Sequence, residues 1–416
     1  MRLVDLVLPE RLGRPFRWLV ASSWVSNLGD GIALAAGPLL VASLTSSPFL
    51  VALAATLQWL PAMVVGLLAG VVTDRRDRRR IVVLVDGARV GVLLVLTATI
   101  LTGHLTIGLA LGTMLVLGTA EVFADNAQST MLPMVVPRQD LGVGNQRIQT
   151  GLLTLNQMAG PPLGAALFAL GSAVPFGTQA ALSALAVGLV TKVALPPHAT
   201  DTPAGARIHQ DIADGFRWTV RHPAVRTLVL TIFTFNITFG AAWSVLVLYA
   251  TEHLGLGAVG YGLITTFIAV GGLVGTASYG WLTRRLTLGQ IMRIGLVIET
   301  LTHLSLALTT VPWVAMTVFA VFGAHAFVWG TTSATVRQRA VPTRLQGRVG
   351  SVNLVGSTGG LVLGSLLGGV LAQRWGLTAP FWFAFGGSAV FVVAIWGQLR
   401  HVAHDELRDV EPSTAV

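Results

Sequence analysis

Asp30 is the residue of this chain best placed to do chemistry. It falls near the middle of a long apolar run at roughly 16–44. If that run crosses a bilayer, an ionised carboxylate there costs about 2.5–3.5 kcal/mol. Ser23, Asn27 and Asp30 stand at i, i+4 and i+7, which places them in one polar stripe on a helix face. An inward-facing acid of this kind can take up and release a proton. The bland alternative is a structural acid, satisfied by Asn27 and a neighbouring helix. Three other acids compete for the proton chemistry. Glu299 sits mid-run with His303 at i+4, so the two can pair, and a structural tether is favoured there. Glu121 and Asp125 share a face near the end of their run, where they could guide protons but where an acid costs little. Asp86 and Arg89, at i and i+3, open another run and are read together with the loop that precedes it.

Other residues suit recognition rather than proton transfer. Phe233, Asn236, Gly240 and Trp243 fall on one helical face, and Phe322, His325 and Trp329 on another. Asn27, Gln58, Trp59, Gln149 and Asn156 add amides and an indole. Aromatic walls with scattered hydrogen-bonding groups fit an amphipathic organic molecule. Helix packing and interfacial aromatics explain the same residues without any ligand. No His/Asp/Glu grouping has metal-ligand spacing, so no metal is expected. No Gly-rich loop ends in Lys-Ser or Lys-Thr, and the single lysine is Lys192, which excludes ATP hydrolysis by a P-loop. Cysteine is absent, and with it thiolate chemistry and disulfides. No cofactor is implied.

The elements that must position these residues follow from composition. The 416 residues are 53% hydrophobic and 11% charged, against about 25% charged in soluble domains. The chain is therefore read as an all-α integral membrane protein. Twelve spans fit, at roughly 16–44, 49–72, 81–101, 105–124, 148–170, 175–195, 226–250, 259–282, 289–309, 313–332, 349–373 and 381–399. The first residues show no cleavable signal peptide. With both termini in the cytoplasm, all but Arg89 and Arg374 of the 27 Lys and Arg fall on the cytoplasmic side or next to it. That alternation is the positive-inside pattern, and it accounts for the net charge of +9 without nucleic acid. Residues 1–195 and 226–400 form two six-span halves, separated by a cytoplasmic loop at 196–225 that turns helical around 208–220, and followed by a tail at 401–416. Gly70 and Asp74-Arg75 fall opposite Gly280 and Arg284-Arg285, as duplicated halves would place them.

Between the second and third spans the chain reads GVVTDRRDRRRI, Gly70 to Ile81. This resembles the G-x-x-x-D-R-x-G-R-R loop of the major facilitator superfamily, with Asp77 where that pattern has its second Gly. Asp214-Gly215-Phe216-Arg217-Trp218 with Arg221-His222-Pro223 is similar to a segment of one bacterial subgroup. So is Arg337-Gln338, Val341-Pro342 and Gly347-Arg348-Val349. The subgroup contains exporters of macrolides, tetracycline-type drugs and enterobactin. Gly160-Pro161-Pro162-Leu163-Gly164 resembles the G-P-x-x-G antiporter motif, with Ala165 in place of its last Gly.

The resemblance implies two pseudo-symmetric six-helix bundles that rock about a central site. It implies a cytoplasmic gate built from Gly70, Asp74, Arg75, Arg78 and Arg79, to which Asp86 and Arg89 are joined. It makes Gly160, Pro161 and Gly164 the antiporter motif, and it puts span 9, with Glu299, outside the cavity. One departure is chemical: antiporters of this superfamily often carry an Arg in span 4, and residues 105–124 contain none. Coupling would then lean on Asp30 or another acid. The expected function is proton-driven export of an amphipathic or lipophilic small molecule across the cell membrane, by a monomer. The alternatives are import on the same fold, or a membrane enzyme or receptor, for which no catalytic grouping is visible.

Overall fold

Apolar segments can cross lipid only if each backbone N–H and C=O finds its partner within the segment, which a helix provides. The computed structural model describes residues 10–195, 208–342 and 345–397, and these contain helices and no strand. The expected tail at 401–416 and the loop portion 196–207 lie outside the described residues.

The helices are α1 (Gly13–Leu44), α2 (Pro48–Arg75), α3 (Arg78–Leu101) and α4 (Ile107–Val135). α5 runs in three pieces: Leu141–Gly151, a π-helical turn Leu152–Ala159, and Gly160–Leu170. α6 is Val174–Val190, and α7 is the short helix Ile208–Arg221 expected in the loop. α8 (Pro223–Trp243) continues through Leu246–Leu248 into a second π turn, Tyr249–His253. Then follow α9 (Ala258–Arg285), α10 (Leu288–Leu308), α11 (Pro312–Ala340), α12 (Gln346–Trp375) and α13 (Ala379–Ile395). Among the described residues nine helices are long and apolar enough to cross a membrane: α1 to α4, α8 from Val225, α9 to α11, and α12 from Arg348. α6 and α13 are shorter apolar helices of 17 residues each.

Helix starts are marked by capping side chains. Asp77, the residue that departs from the loop motif, accepts from Arg80 N at 3.0 Å and so caps α3. Thr106 does the same for α4, and Thr287 with Gln290 forms a capping box on α10.

The described chain divides into two compact units. One comprises Met1–Ser46, Leu57–Ala204 and Leu256–Thr266, the other Ser47–Thr56, Gly205–Gly255 and Phe267–Val416. Ser47–Thr56 thus belongs to the second unit and Leu256–Thr266 to the first.

Inside lipid, helices gain little from excluding water from one another, so close backbone contact at small residues does the work. In the second unit, Gly360, Gly364 and Gly368 of α12 lie against the carbonyls of Phe233, Ile237 and Ala241 of α8. A methyl group added at Gly360 would stand 2.6 Å from the Phe233 oxygen. Gly271 and Gly275 of α9 meet Ala320 and Ala324 of α11 in the same way. In the first unit the seam joins α1 to α5, where Gly160 abuts Gly31 and Gly164 abuts Ile32. A larger side chain in a seam must push two helices apart. Gly364→Val is expected to destabilise the purified protein by about 1–3 kcal/mol, the usual cost of overpacking. Gly91→Ala, where nothing stands within 4 Å, should leave thermal unfolding in detergent unchanged.

Candidate functional site

The first unit packs α1, α3, α4 and α6 together, and Asp30 on α1 is the meeting point of four side chains. Gly29 lets Gln179 and Leu182 of α6 approach to 3.5 Å of where a Cβ would be. On the other side, Gly31 accepts the backbone of Asn156 so closely that a methyl group would meet its carbonyl at 2.5 Å. The sequence Gly-Asp-Gly therefore seats a carboxylate between α6 and the π turn of α5. π turns inside α-helices are frequent at functional sites.

Arg89 of α3 donates from Nη2 to Asp30 Oδ1 and from Nη1 to Asp86 Oδ1, the latter at 3.1 Å. Ser26 Oγ donates to Asp30 Oδ2 at 3.2 Å, and Gln179 Nε2 lies 3.5 Å from Asp30 Oδ1. The side chains of Arg89, Asp86 and Asp30 are 3%, 2% and 12% exposed, so this is an interior ion cluster. Glu121 and Asp125 of α4 interact electrostatically with Asp30, Arg89 and Asp86. Two carboxylates thus bind one guanidinium, and two further acids lie within electrostatic reach of it. Asp86 Oδ2, Arg89 Nε and Gln179 Oε1 are buried without a hydrogen-bond partner among the described residues. The cluster thus keeps spare donor and acceptor capacity.

Several expectations change here. Arg89 and Asp86 stand with Asp30, not with Arg78, whose Nη1 faces Met134 Sδ at 3.2 Å. The guanidinium that meets Asp30 comes from α3. Asn27 does not satisfy Asp30: its amide donates to Ser23 O at 2.8 Å, on its own helix. Gln179 joins the site from α6, a neighbour that no spacing along α1 identifies. Two glycines flanking a mid-span acid were the signal that some neighbour must come close.

In the gate loop, Arg75 is exposed, Arg79 Nη1 donates to Val193 O at 3.1 Å, and Gly70 lies 3.9 Å (to an added Cβ) from Asn126 Oδ1. The Asp74 side chain lies outside the described residues. In the antiporter motif, Gly160 and Gly164 form the α1 seam, and Pro161 O faces Gly262 of α9 at 3.0 Å from an added Cβ.

In the second unit, Glu299 pairs with His325 of α11, Oε2 to Nε2 at 3.3 Å, and not with His303. The faces read as cavity walls largely pack inside the unit. Phe322 stacks on Phe239 with centroids 5.6 Å apart, Phe239 stacks on Trp243 at 4.9 Å, and Trp329 lies over Gly295. Asn236 donates to Ile232 O at 2.8 Å, and Phe233 abuts Gly360 of α12. Of the amides, Gln58 and Gln149 are exposed, Trp59 is half-buried, and Asn156 lies on Gly31. A small void of about 20 Å³ is lined by Phe239, Trp243, Thr302, His303, Phe319 and Phe322, among others.

A family model described as transmembrane secretion effector matches residues 12–416. The multidrug efflux pump Tap of Mycobacterium tuberculosis is 30% identical over 380 residues, which cover 87% of this chain and 88% of Tap. The enterobactin exporter EntS of Citrobacter koseri is 26% identical over 404 residues, 92% of each chain. Among solved structures, a mutant of the nucleoside transporter NupG matches with a TM-score of 0.75 at 13% identity, covering 92% of this chain and all of that one. A bacterial homologue of the lysosomal transporter Spinster matches with a TM-score of 0.72 at 14% identity, covering 97% and 100%. At such identities the structures share the fold with this chain and nothing finer.

Removing one partner from a buried ion cluster leaves uncompensated charge, at about 3–5 kcal/mol. Arg89→Gln is expected to lower thermal stability in detergent by that order. Arg89→Gln combined with Asp30→Asn should recover part of the loss, with a coupling of about 1 kcal/mol or more in the double-mutant cycle. Additive effects would show that the two side chains do not act as a pair.

Proposed function

The chain belongs to the transmembrane secretion effector family of major facilitator transporters, and we propose that it exports amphipathic or lipophilic small molecules in exchange for protons. It is a multi-pass membrane protein that acts on small-molecule substrates. Export is supported by its relatives, named as a multidrug efflux pump and an enterobactin exporter. Drugs of the macrolide or tetracycline type, or a siderophore, are the substrate classes that fit. The proposal includes twelve crossings with both termini in the cytoplasm, operation by alternating access in the cell membrane, and a monomeric working unit. The loop of Gly70, Asp74, Arg75, Arg78 and Arg79 serves as its inner gate.

The observation that carries proton coupling is the charge balance around Arg89. A guanidinium keeps its proton at any accessible pH. One carboxylate neutralises it, and every further ionised acid adds net negative charge inside a bundle that lipid surrounds. That charge is costly, so the surplus carboxyls among Asp30, Asp86, Glu121 and Asp125 carry protons in the empty state. Asp30 is the acid that links the cluster to its surroundings, because it alone touches Arg89, Gln179 and Ser26 at once, so changing it disturbs the proton balance of the whole cluster. A cationic or hydrogen-bonding substrate that favours the ionised form expels the proton, and reprotonation resets the site. Ser26 and Gln179 position the carboxylate, while the π turn of α5 against Gly31 ties its ionisation to the packing of α5.

Accumulation of an ethidium-like dye and of a macrolide tests this reading in cells that express the wild type or Asp30→Asn. The wild type should lower accumulation, an uncoupler should abolish the effect, and Asp30→Asn should fail although it reaches the membrane. Normal uncoupler-sensitive export by Asp30→Asn would remove Asp30 from the cycle.

A further inference from the structure

The proton chemistry proposed above uses the first unit and leaves a second buried ionisable cluster unexplained. On α10, Gly295, Glu299 and His303 follow one another at four-residue intervals and so line one face. His325 of α11 lies across that face. Its Nε2 is 3.3 Å from Glu299 Oε2, and its Nδ1 rests over Gly295, at 2.8 Å from where a Cβ would stand. The glycine thus makes room for the imidazole and the glutamate holds it. His325 Nδ1 and both ring nitrogens of His303 are buried without a hydrogen-bond partner among the described residues. His303 also borders the aromatic void beside Phe239, Trp243 and Phe322.

We propose that Glu299 and His325, with His303 beside them, form a second proton-binding site, housed in the second unit and separate from Asp30. A pair built only for strength would satisfy every nitrogen. This one leaves three ring nitrogens open around a single carboxyl. With Glu299 ionised and both imidazoles neutral, the cluster carries one uncompensated negative charge in a membrane bundle. Uptake of one proton cancels it, either as a carboxylate beside an imidazolium or as a carboxylic acid donating to Nε2. Both forms keep one proton between Glu299 Oε2 and His325 Nε2, where they differ only in which atom bears it, and both place the second proton on His325 Nδ1.

No other charge competes for that proton. α13, which packs on α10, has no ionisable side chain between Ala379 and Ile395. α11 offers only His325 between Pro312 and Val336, and α9 offers none between Phe267 and Ser278, where Gly271 and Gly275 meet α11. In α8 and its extension, Arg226 stands at the opening turn, Glu252 is exposed, Tyr249 donates its hydroxyl to Leu306 O at 2.6 Å, and His253 Nε2 lies 3.0 Å from Thr309 O. On α10 itself, Arg293 donates to Trp396 O at 3.2 Å.

This site does not depend on the export reading and is tested without transport. The full-length protein, labelled with ¹⁵N-histidine and placed in lipid nanodiscs, is followed by imidazole ¹⁵N NMR between about pH 4 and pH 9. His325→Gln and His303→Gln assign the signals. The expected result is a single one-proton step in the His325 ring signals. That step should be kept in Glu299→Asp, lost or moved by at least tenfold in proton affinity in Glu299→Gln, and unmoved in Asp30→Asn. A His325 ring that holds one state across the range overturns the proposal, as does a step unchanged in Glu299→Gln. Loss of the step in Asp30→Asn would also overturn it, by joining the two sites into one. Because the readout comes from His325 itself, failure here leaves the Asp30 reading standing, and the reverse also holds.

Discussion

A buried guanidinium that cannot shed its charge is the constraint on which the first unit depends. Arg89 sits within α3 at 3% side-chain exposure, and an unpaired cation there would be untenable. Its two outer nitrogens fix the carboxylates of Asp30 and Asp86, from two helices, at once. Those carboxylates then dictate the rest. Asp30 needs glycines on both sides so that α5 and α6 can close around it, and Ser26 and Gln179 take up its remaining lone pairs. Glu121 and Asp125 overload the site with acid. The same group that demands charge compensation thereby creates more acidic capacity than it can neutralise.

Packing and chemistry share their residues here. Gly31, Gly160 and Gly164 bring α1 and α5 into backbone contact at the level of the acid, and the π turn Leu152–Ala159 sits at the point of contact. π turns inside α-helices are frequent at functional sites, and on the proton-exchange proposal this is the segment of α5 that would adjust to a change of charge at Asp30. The second unit uses the same small-residue seams, between α8 and α12 and between α9 and α11, around a different polar group. There Gly295 opens the space that His325 fills, so a packing residue again sets the geometry of an ionisable pair.

What the sequence makes legible is whatever depends on position along a helix. Hydropathy locates most of the helices to within a few residues. α4 and α11 nevertheless run on to Val135 and Ala340, past the expected ends at 124 and 332, and α5 starts at Leu141, ahead of 148. Polar residues near the interface end an apolar pattern without ending a helix. Asp77 caps α3 where the motif would have a glycine. What depends on the facing of one helix against another is not legible. Asp86 and Arg89 stand a few residues after a loop rich in arginine and so read as part of it, although their side chains point to α1. His303, at i+4 from Glu299, is the partner that spacing suggests, but His325 of α11 takes the place. The guanidinium that pairs with Asp30 comes from α3 for the same reason: bundle neighbours are chosen by packing, not by order in the chain. Span 5 reads as one helix because its π turn leaves the apolar pattern intact.

The most direct measurement is proton release on substrate binding, followed with a pH indicator in weakly buffered detergent near neutral pH. Substrate binding and proton binding at one site are linked reciprocally. The wild type is therefore expected to release up to about one proton for each molecule bound, and Asp30→Asn to bind without release. Binding by the wild type with no proton released, or equal release by Asp30→Asn, would contradict the coupling of transport to this cluster.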